Sequence, residues 1–302
     1  RDLAPVVVSG VQPGPGMWRV SRDGRVLHLL GTLSPLPRDI EWLSRDVDDA
    51  IAGSQEILQS PSVTVSSGVG MFRSMLLIPA ALKARRNPDG RMLSDVVPAG
   101  DYARWSILKA RYIGRDRKVE QWRPVFAAQE LYSAAIGKSG LSRELLVEPM
   151  VAKAAKRHDV PVTPVQVQVV IEDPRTALQD FSSGALDDSA CFEKTLVRIE
   201  SDLDAMRLRA NAWAVGDLEQ LRALPYTDHY TTCISALTGT GLAQRLGVSD
   251  LRAQMEHKWL AEAQRALAQN QSTFAALPIR EMLRPDGLLS TLEALGYEVQ
   301  AP

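Results

Sequence analysis

The sequence predicts a mixed α/β protein, with a central β-sheet built from segments near both chain ends and a largely helical middle. The first observation is an apolar strand over residues 26–30, which runs into Gly31-Thr32 and then turns through Leu33, Ser34 and two prolines. The second is the same strand-and-loop plan over residues 272–284. Because the two units match, we expect their strands to share one core and their loops to lie side by side, where sites are usually built.

The first of these units, residues 17–60, is predicted to form a hairpin, a helix and a strand. Arg22-Asp23-Gly24 indicates the hairpin turn, because Asp-Gly tolerates the positive φ that such turns need. A helix with Val47 and Ile51 on its apolar face follows, and then a strand at residues 56–58. The second unit, residues 272–302, ends in a helix and a short strand.

The remaining segments complete a single predicted domain over residues 1–302. Residues 1–16 are expected to form an extended arm that packs onto the body, and the small, polar residues 62–70 to form a loop. The mostly helical middle covers residues 70–270. Its helices are predicted at 72–84, broken or capped near Pro79, at 101–112, 121–137 and 144–158, from after Asp188 to Gly216, and at 250–268, with one strand or a pair of strands at 160–171.

The longest predicted helix follows Asp187-Asp188, which are good N-cap residues. Apolar residues recur along it at alternating spacings of four and three: Phe192, Leu196, Ile199, Leu203, Met206, Ala210 and Trp213. This spacing indicates one buried face of a helix of about six turns. A stripe of this kind is typical of a packed core and not of a cofactor site.

Composition limits the classes of partner. The chain is 45% hydrophobic and 24% charged, which is ordinary for a globular protein. Its net charge of −1 gives no general attraction for nucleic acid or for anionic membranes. The longest apolar stretch, residues 75–82, is too short for a transmembrane segment and contains a proline. We therefore expect a protein or peptide partner, no nucleic acid and no membrane span.

Several segments carry a family resemblance: Pro15-Gly16-Met17-Trp18-Arg19-Val20, Leu29-Leu30-Gly31-Thr32, Ala212-Trp213-Ala214-Val215-Gly216-Asp217-Leu218, Thr273-Phe274-Ala275-Ala276-Leu277, Pro285-Asp286-Gly287-Leu288-Leu289 and Leu295-Gly296-Tyr297-Glu298-Val299. They resemble the TraB/GumN family, which is related to the Tiki metalloproteases. The resemblance implies that active members are hydrolases using a divalent metal such as manganese or cobalt. It also implies two Gly-x-x-His motifs, one after each strand, assisted by a glutamate and an arginine.

This chain departs from that pattern at its chemical groups. The first motif is Gly31-Thr32-Leu33-Ser34, with serine in place of histidine, and the second is Pro278-Ile279-Arg280-Glu281, with proline and glutamate in place of glycine and histidine. The family's acidic position falls near Gln59-Ser60, and its arginine falls near Met255 if Trp259 matches the family's tryptophan. We therefore expect no metal and no catalytic residue at the degenerate positions Gly31, Thr32, Ser34, Pro278 and Glu281.

Other candidate chemistry is sparse. The histidines, His28, His158, His229 and His257, are isolated and lack the spacing of metal ligands. Ser34 has neither the glycines of a nucleophile elbow nor a histidine close in sequence, which favours a structural serine. A lone Glu281 does not hold a divalent ion, and it is more readily interpreted as a surface residue or a partner of Arg280 or Arg284.

The family is often exported, and the chain starts at Arg1 and not at methionine, so we expect a cleaved leader and a periplasmic or exported protein. In that setting the two cysteines, Cys191 and Cys233, are expected to form a disulfide. Two buried thiols are the alternative.

Three functions remain open. The first is a catalytically degenerate family member that acts in the cell envelope by binding or as a scaffold. The second is a metal-dependent hydrolase or protease with a rearranged site in the same cleft, which convergent acidic groups would favour. The third is a structural interaction module, which a large exposed apolar patch or a symmetric dimer contact would favour.

Overall fold

The computed structural model describes residues 10–38, 40–67, 78–176, 179, 188–224 and 250–302. It confirms the mixed α/β class. The strands in these ranges are β1 (Val11–Gln12), β2 (Met17–Arg22), β3 (Arg25–Thr32), β4 (Leu36–Pro37), β5 (Glu41–Trp42), β6 (Ile57–Leu58), β7 (Ser62–Ser67), β8 (Leu141–Ser142), β9 (Val162–Thr163), β10 (Gln166–Ile171), β11 (Ser272–Pro278) and β12 (Glu298–Gln300). The helices are α1 (Arg45–Ala52), α2 (Ile78–Ala84), α3 (Ala99–Tyr112), α4 (Pro124–Lys138), α5 (Val147–His158), α6 (Ser189–Ser201), α7 (Leu203–Val215), α8 (Leu218–Ala223), α9 (Leu251–Gln269), α10 (Ile279–Leu283) and α11 (Leu288–Ala294).

The central sheet has six strands in the order β12-β2-β3-β11-β6-β9. The predicted hairpin is present: β2 and β3 run antiparallel, and Asp23 and Gly24 between them have φ values of 51° and 76°. From β3 onward the neighbouring strands run parallel. The antiparallel side of the sheet, β12-β2-β3, thus comes from the two units, and the parallel side adds β9 from the helical middle to strands of both units.

Strands β3 and β11 are direct neighbours, which confirms the predicted pairing of the two units. Their register places Gly31 opposite Leu277 and Thr32 opposite Pro278. Their central residues are fully buried, including Leu29 and Ala275. Because parallel strands end at the same edge of a sheet, the two loops that follow lie side by side.

The helical middle packs around the apolar stripe. Helix α6 lies against α3 and α4, and the rings of Trp105 and Phe192 meet at 5.5 Å between centroids. Every residue of the predicted stripe between Phe192 and Trp213 is buried. The predicted helices at 101–112, 121–137 and 144–158 are present as α3, α4 and α5. The segment 160–171 forms two strands, β9 and β10, which pair with β6 and β7.

The single long helix predicted from after Asp188 to Gly216 is wrong in one respect: the chain bends at Asp202, which separates α6 from α7. The backbone hydrogen bonds continue through the bend, from Asp202 N–H to the Arg198 carbonyl at 2.9 Å and from Met206 N–H to the Asp202 carbonyl at 2.8 Å. The buried carboxylate of Asp202 contacts the guanidinium groups of Arg198 and Arg209, at 3.4 and 3.0 Å. These ion pairs hold the bend, so the stripe remains on one face.

The sequence interpretation was also wrong at one further segment. Residues 62–67 are not a loop but strand β7, which pairs in parallel with β10 from Ser62↔Gln166 to Ser67↔Ile171. Among the described residues helix α2 covers Ile78–Ala84 and contains Pro79. Residues 68–77, where the start of that helix was predicted, lie outside the described residues.

The N-terminal segment from Gly10 to Gly16 lies along the body. Strand β1 pairs in parallel with β5, and the Gly14 N–H donates to the Ala214 carbonyl at 2.8 Å. Gly14 has a φ of 86°, and a Cβ at this position would lie 2.4 Å from the ring of Trp42. Only glycine therefore fits between this segment and the tryptophan.

Candidate functional site

The candidate site lies at the carboxyl edge of β3 and β11, where both family motifs fall. Thr32 and Pro278 end the two strands side by side. Ser34 is exposed two residues beyond β3, and Glu281 lies in the short helix α10. The structure therefore places the two degenerate motif positions at the same edge of the sheet, Ser34 on the loop after β3 and Glu281 in the helix that follows β11.

Helix α7 contacts the first motif through a hydrogen bond. The indole N–H of Trp213, in α7, donates to the carbonyl oxygen of Gly31 at 2.8 Å, and both residues are buried. Trp213 also meets Trp42 edge to face, at 5.5 Å between ring centroids. The hydrogen bond from Trp213 fixes the backbone at Gly31, near the end of β3, since a buried carbonyl needs a donor.

The two motifs touch each other at Gly31. A Cβ at this position would lie 2.9 Å from Cδ1 and Cγ1 of Ile279, which directly follows β11. Ile279 is 3% exposed, so its side chain has little room to move away. The glycine of the first motif is thus required by close packing against the second.

The carboxylate of Glu281 lies among three arginines. It contacts Nε of Arg280 at 2.8 Å, Nη2 of Arg252 at 2.9 Å and Nη1 of Arg284 at 3.7 Å. The Glu281 side chain is 16% exposed. A second carboxylate, that of Glu256, contacts Nε of Arg252 at 3.2 Å and Nη2 of Arg284 at 3.0 Å. The second motif therefore ends in a network of ion pairs.

The third expected position does not contribute to this network. The Ser60 hydroxyl donates to the carbonyl of Ala276 in β11, and the Gln59 N–H donates to the Thr163 carbonyl at 3.0 Å. Both residues link strands. The buried acid of this segment is Glu56, at the opposite edge of the sheet, where Arg265, Asn270 and Thr163 donate to its carboxylate.

These contacts set the pKa of Glu56. Burial alone would raise it, but the hydrogen bonds from Thr163, Arg265 and Asn270 and the charge of Arg265 outweigh burial, so the pKa lies below its usual range. Glu56 ties α9 to β9 and β6 as a structural ion pair and lies away from both motif loops.

Sequence reasoning missed Arg252 and Glu256. It assigned the family's arginine to the neighbourhood of Met255, whereas the arginine that reaches the second motif is Arg252, one turn earlier on α9. The spacing of Arg252, Glu256 and Trp259 contained a usable signal, because residues three and four apart share one face of a helix. That face is the one that α9 turns toward the carboxyl edge of β3 and β11, called the motif edge below.

The histidines lie elsewhere. His28 stands inside β3, opposite Arg19 of β2, and burial followed by the charge of Arg19 lowers its pKa. His158 ends α5 and contacts Asp48 of α1 at 3.2 Å, and His257 is exposed on α9. His229 falls outside the described residues.

The donor set at the motif edge does not fit a divalent metal ion. Ser34 presents a neutral hydroxyl, Ser60 donates to a carbonyl, and Glu281 is engaged by three guanidinium groups. Within the ranges that the structure describes, no group of three His, Cys, Asp or Glu side chains is placed to hold a metal.

Cys191 is buried near the start of α6. Its expected partner, Cys233, lies outside the described residues, so the disulfide stays a prediction.

Asp188, predicted as an N-cap, does not cap α6 with its side chain but faces Arg123 in a buried ion pair at 3.4 Å. Burial raises the pKa of Asp188 above its usual range despite this arginine.

The model of the TraB/PrgY/gumN family matches residues 16–301, which is nearly the whole chain. The chain belongs to this family. No curated protein and no solved structure matches it. In the described part of this family member, no helix is both long and apolar enough to cross a membrane. Membership agrees with the position of the motif strands, since the family match covers both β3 and β11.

Proposed function

We propose that this TraB/PrgY/gumN family member acts in the cell envelope by binding or as a scaffold, without a catalytic metal. The observation that carries the proposal is the engagement of Glu281 by Arg252, Arg280 and Arg284. The position that the family resemblance assigns to a metal-binding histidine here holds a carboxylate that already has cationic partners.

The electrostatics oppose a metal at this position. Two unit charges 4 Å apart interact by roughly 4 kcal/mol at an effective dielectric constant of 20, and a divalent ion doubles this for each arginine that it approaches. A metal would also have to displace guanidinium groups from Glu281. A site of this kind needs about three converging protein ligands and one open position for water.

A location in the envelope is part of the proposal and follows from the family's frequent export. Cell fractionation of the full-length gene product tests it. We expect the protein in the periplasmic or extracellular fraction, and recovery in the cytosol alone would contradict the location.

The absence of a catalytic metal is tested by metal titration of protein purified without chelator. We expect no stoichiometric manganese, cobalt or zinc by elemental analysis or calorimetry, and no metal-dependent hydrolysis of peptides. The Glu281→Ala variant should likewise bind no stoichiometric metal and show no metal-dependent hydrolysis. Glu262→Ala is the matched control, because Glu262 lies in an ion pair with Arg265 on the same helix as Arg252.

Tight binding of one metal ion by the unmodified protein, lost in Glu281→Ala but kept in Glu262→Ala, would overturn the proposal in favour of a metal-dependent hydrolase. The double substitution Ser34→His with Glu281→His restores the motif histidines. We expect it to gain weak metal binding at most, since Pro278 stands in place of the family's glycine.

A further inference from the structure

The outer edges of the β-strands differ in how they are protected from pairing with another chain. In the described part of the chain, the edge strand β9 has two residues and lies between Pro161 and Pro164, and the edge strand β12 has three residues. On the outer edge of β10, the Lys258 ammonium donates to the Gln166 carbonyl. Short strands, prolines and lysines are the usual protection of a sheet edge.

Strand β7 has none of these protections. Its six residues, Ser62–Ser67, include no charged residue and no proline. They pair with β10 on one side, and among the described residues no strand pairs with the other side. A long, uncharged edge of this kind is a template for one more strand.

The hydrogen-bond register identifies the backbone groups of this free edge. The Ser62 N–H donates to the Val165 carbonyl at 2.9 Å. Because alternate residues of a strand bond to the same neighbour, Ser62 and Thr64 pair with β10. The N–H and C=O groups of Val63 and Val65 therefore point away from β10. They provide two donors and two acceptors at the spacing of a β-strand.

The free edge of β7 begins at the motif edge. Strand β6 lies between β11 and β9, and the hydroxyl of Ser60, which precedes β7, donates to the Ala276 carbonyl in β11. Strand β11 ends at Pro278, so it provides no partner for β7 beyond this point. A strand added to β7 would therefore lie at the edge of the sheet that carries both motifs.

The side chains beside this edge are apolar on one face. Val63 and Val65 lie on the same face as Val167 and Val169 of β10, since residues paired in register point to the same side. Val169 is 6% exposed, whereas Val65, its partner in register, is 62% exposed. A β-branched residue on an added strand would therefore pack beside the uncovered Val65.

The size of the free edge favours a peptide over a second copy of the chain. Six residues of strand span about 20 Å, so one added strand covers roughly 200 Å². Specific, stable protein pairs bury about 800 Å² on each partner. The edge is therefore large enough for one extended segment but too small to hold a dimer by itself.

We propose that the outer edge of β7 binds an extended, uncharged peptide segment of a partner protein, with a β-branched residue at every second position. The segment adds as a third strand to β10 and β7, and its backbone pairs with Val63 and Val65. This inference rests on the proposed binding role and names its ligand class.

Hydrogen–deuterium exchange of the full chain, read residue by residue by NMR, tests this edge. The probe is the peptide Lys-Thr-Val-Thr-Val-Thr-Lys, N-acetylated and C-amidated, in which the lysines serve solubility. We expect the amides of Val63 and Val65 to exchange rapidly in the free protein. With millimolar peptide they should exchange at least about tenfold more slowly, because they become hydrogen-bonded. The amide of Thr64, which bonds to β10, should be protected in both states.

Matched controls separate backbone pairing from other binding. The same peptide N-methylated at two consecutive central residues cannot pair along either of its edges, and it should bind at least about tenfold more weakly by calorimetry. Val65→Pro removes an outward N–H and no bond to β10, and it should weaken the peptide about tenfold. Val65→Thr keeps the N–H and the β-branched shape, and it should bind within about twofold of the wild type.

Slow exchange of Val63 and Val65 in the free protein would overturn the proposal, because this edge would already be paired within the chain. So would protection that rises with protein concentration in the absence of peptide, which would indicate a second copy. Absence of protection by the peptide, or equal binding of the N-methylated peptide, would also overturn it. The exchange of the unmodified chain decides the proposal even where Val65→Pro does not fold. The metal titration does not depend on this edge, so failure of the strand site and failure of the metal-free binding role remain distinguishable.

Discussion

The indole N–H of Trp213 donates to the carbonyl oxygen of Gly31 across 2.8 Å, and this bond joins the helical middle to the first family motif. The two residues are 182 positions apart in the chain. The glycine in turn packs against Ile279 of the second motif. One short stretch of β3 thus connects α7, β11 and the motif edge.

Trp213→Phe tests this connection. The variant keeps an aromatic ring but leaves the buried Gly31 carbonyl without its donor, so we expect a loss of unfolding free energy of about 1–3 kcal/mol. Urea unfolding followed by circular dichroism measures it. Trp42→Phe, at the other side of the same ring contact, should cost less because Trp42 is only half-buried. An equal or smaller loss in Trp213→Phe would contradict the importance of the hydrogen bond.

Gly31→Ala tests the packing between the motifs. The new Cβ would lie 2.9 Å from two atoms of Ile279, and we expect destabilisation of about 1–3 kcal/mol from overpacking. In the presence of Ile279→Ala the same change should cost less, which gives a favourable coupling free energy in a double-mutant cycle.

Gly100→Ala is the matched control for Gly31→Ala. Gly100 lies in the first turn of α3, where nothing stands within 4 Å of an added Cβ. We expect a change within about 1 kcal/mol of zero, because alanine favours the helix. Additive free energies for Gly31→Ala and Ile279→Ala would show that the two motifs do not pack as described.

Glu281→Ala tests the ion-pair network by stability. Removal of the carboxylate leaves Arg252, Arg280 and Arg284 close together, and we expect a loss of roughly 1–3 kcal/mol. Phosphate should restore part of it, since the anion can take the place of the carboxylate between the arginines. Thermal unfolding with and without phosphate measures the effect. An equal phosphate response in the wild type and in Glu281→Ala would contradict the prediction.

Glu56 gives a prediction on acid stability. Its pKa is lowered in the folded protein, so its contribution to the unfolding free energy is fully present above its unfolded pKa and is lost as the pH falls through the folded pKa. Glu56→Gln should therefore reduce stability at neutral pH and flatten the decline in acid. Urea unfolding between pH 6 and 3 measures the difference between the two proteins, and parallel curves would contradict this assignment.

The disulfide between Cys191 and Cys233 remains a prediction. It would close a loop of about 40 residues and stabilise the fold by a few kcal/mol. Alkylation of the denatured, non-reduced protein followed by mass spectrometry decides it. We expect no alkylated cysteine, and two alkylated thiols would show the alternative of buried thiols.

Much of the fold could be predicted because its determinants are local. The Asp-Gly turn between β2 and β3 and the stripe from Phe192 to Trp213 depend on neighbours within a few residues. Strand β7, by contrast, was missed. Its partner β10 lies about 100 residues away. The alternating Val63 and Val65 and the β-branched Thr64 were a local strand signal, but the serines around them led to the loop interpretation.

The sequence by itself determined that the two motif strands exist and that their histidine positions hold Ser34 and Glu281. Only the tertiary structure decided what surrounds Glu281. Arg280 and Arg284 come from α10 and its C-terminal boundary, whereas Arg252 comes from α9, and the turn into β11 brings these segments together. The sequence alone does not show which charged residues form ion pairs, because the energy between two charges depends on their separation in space.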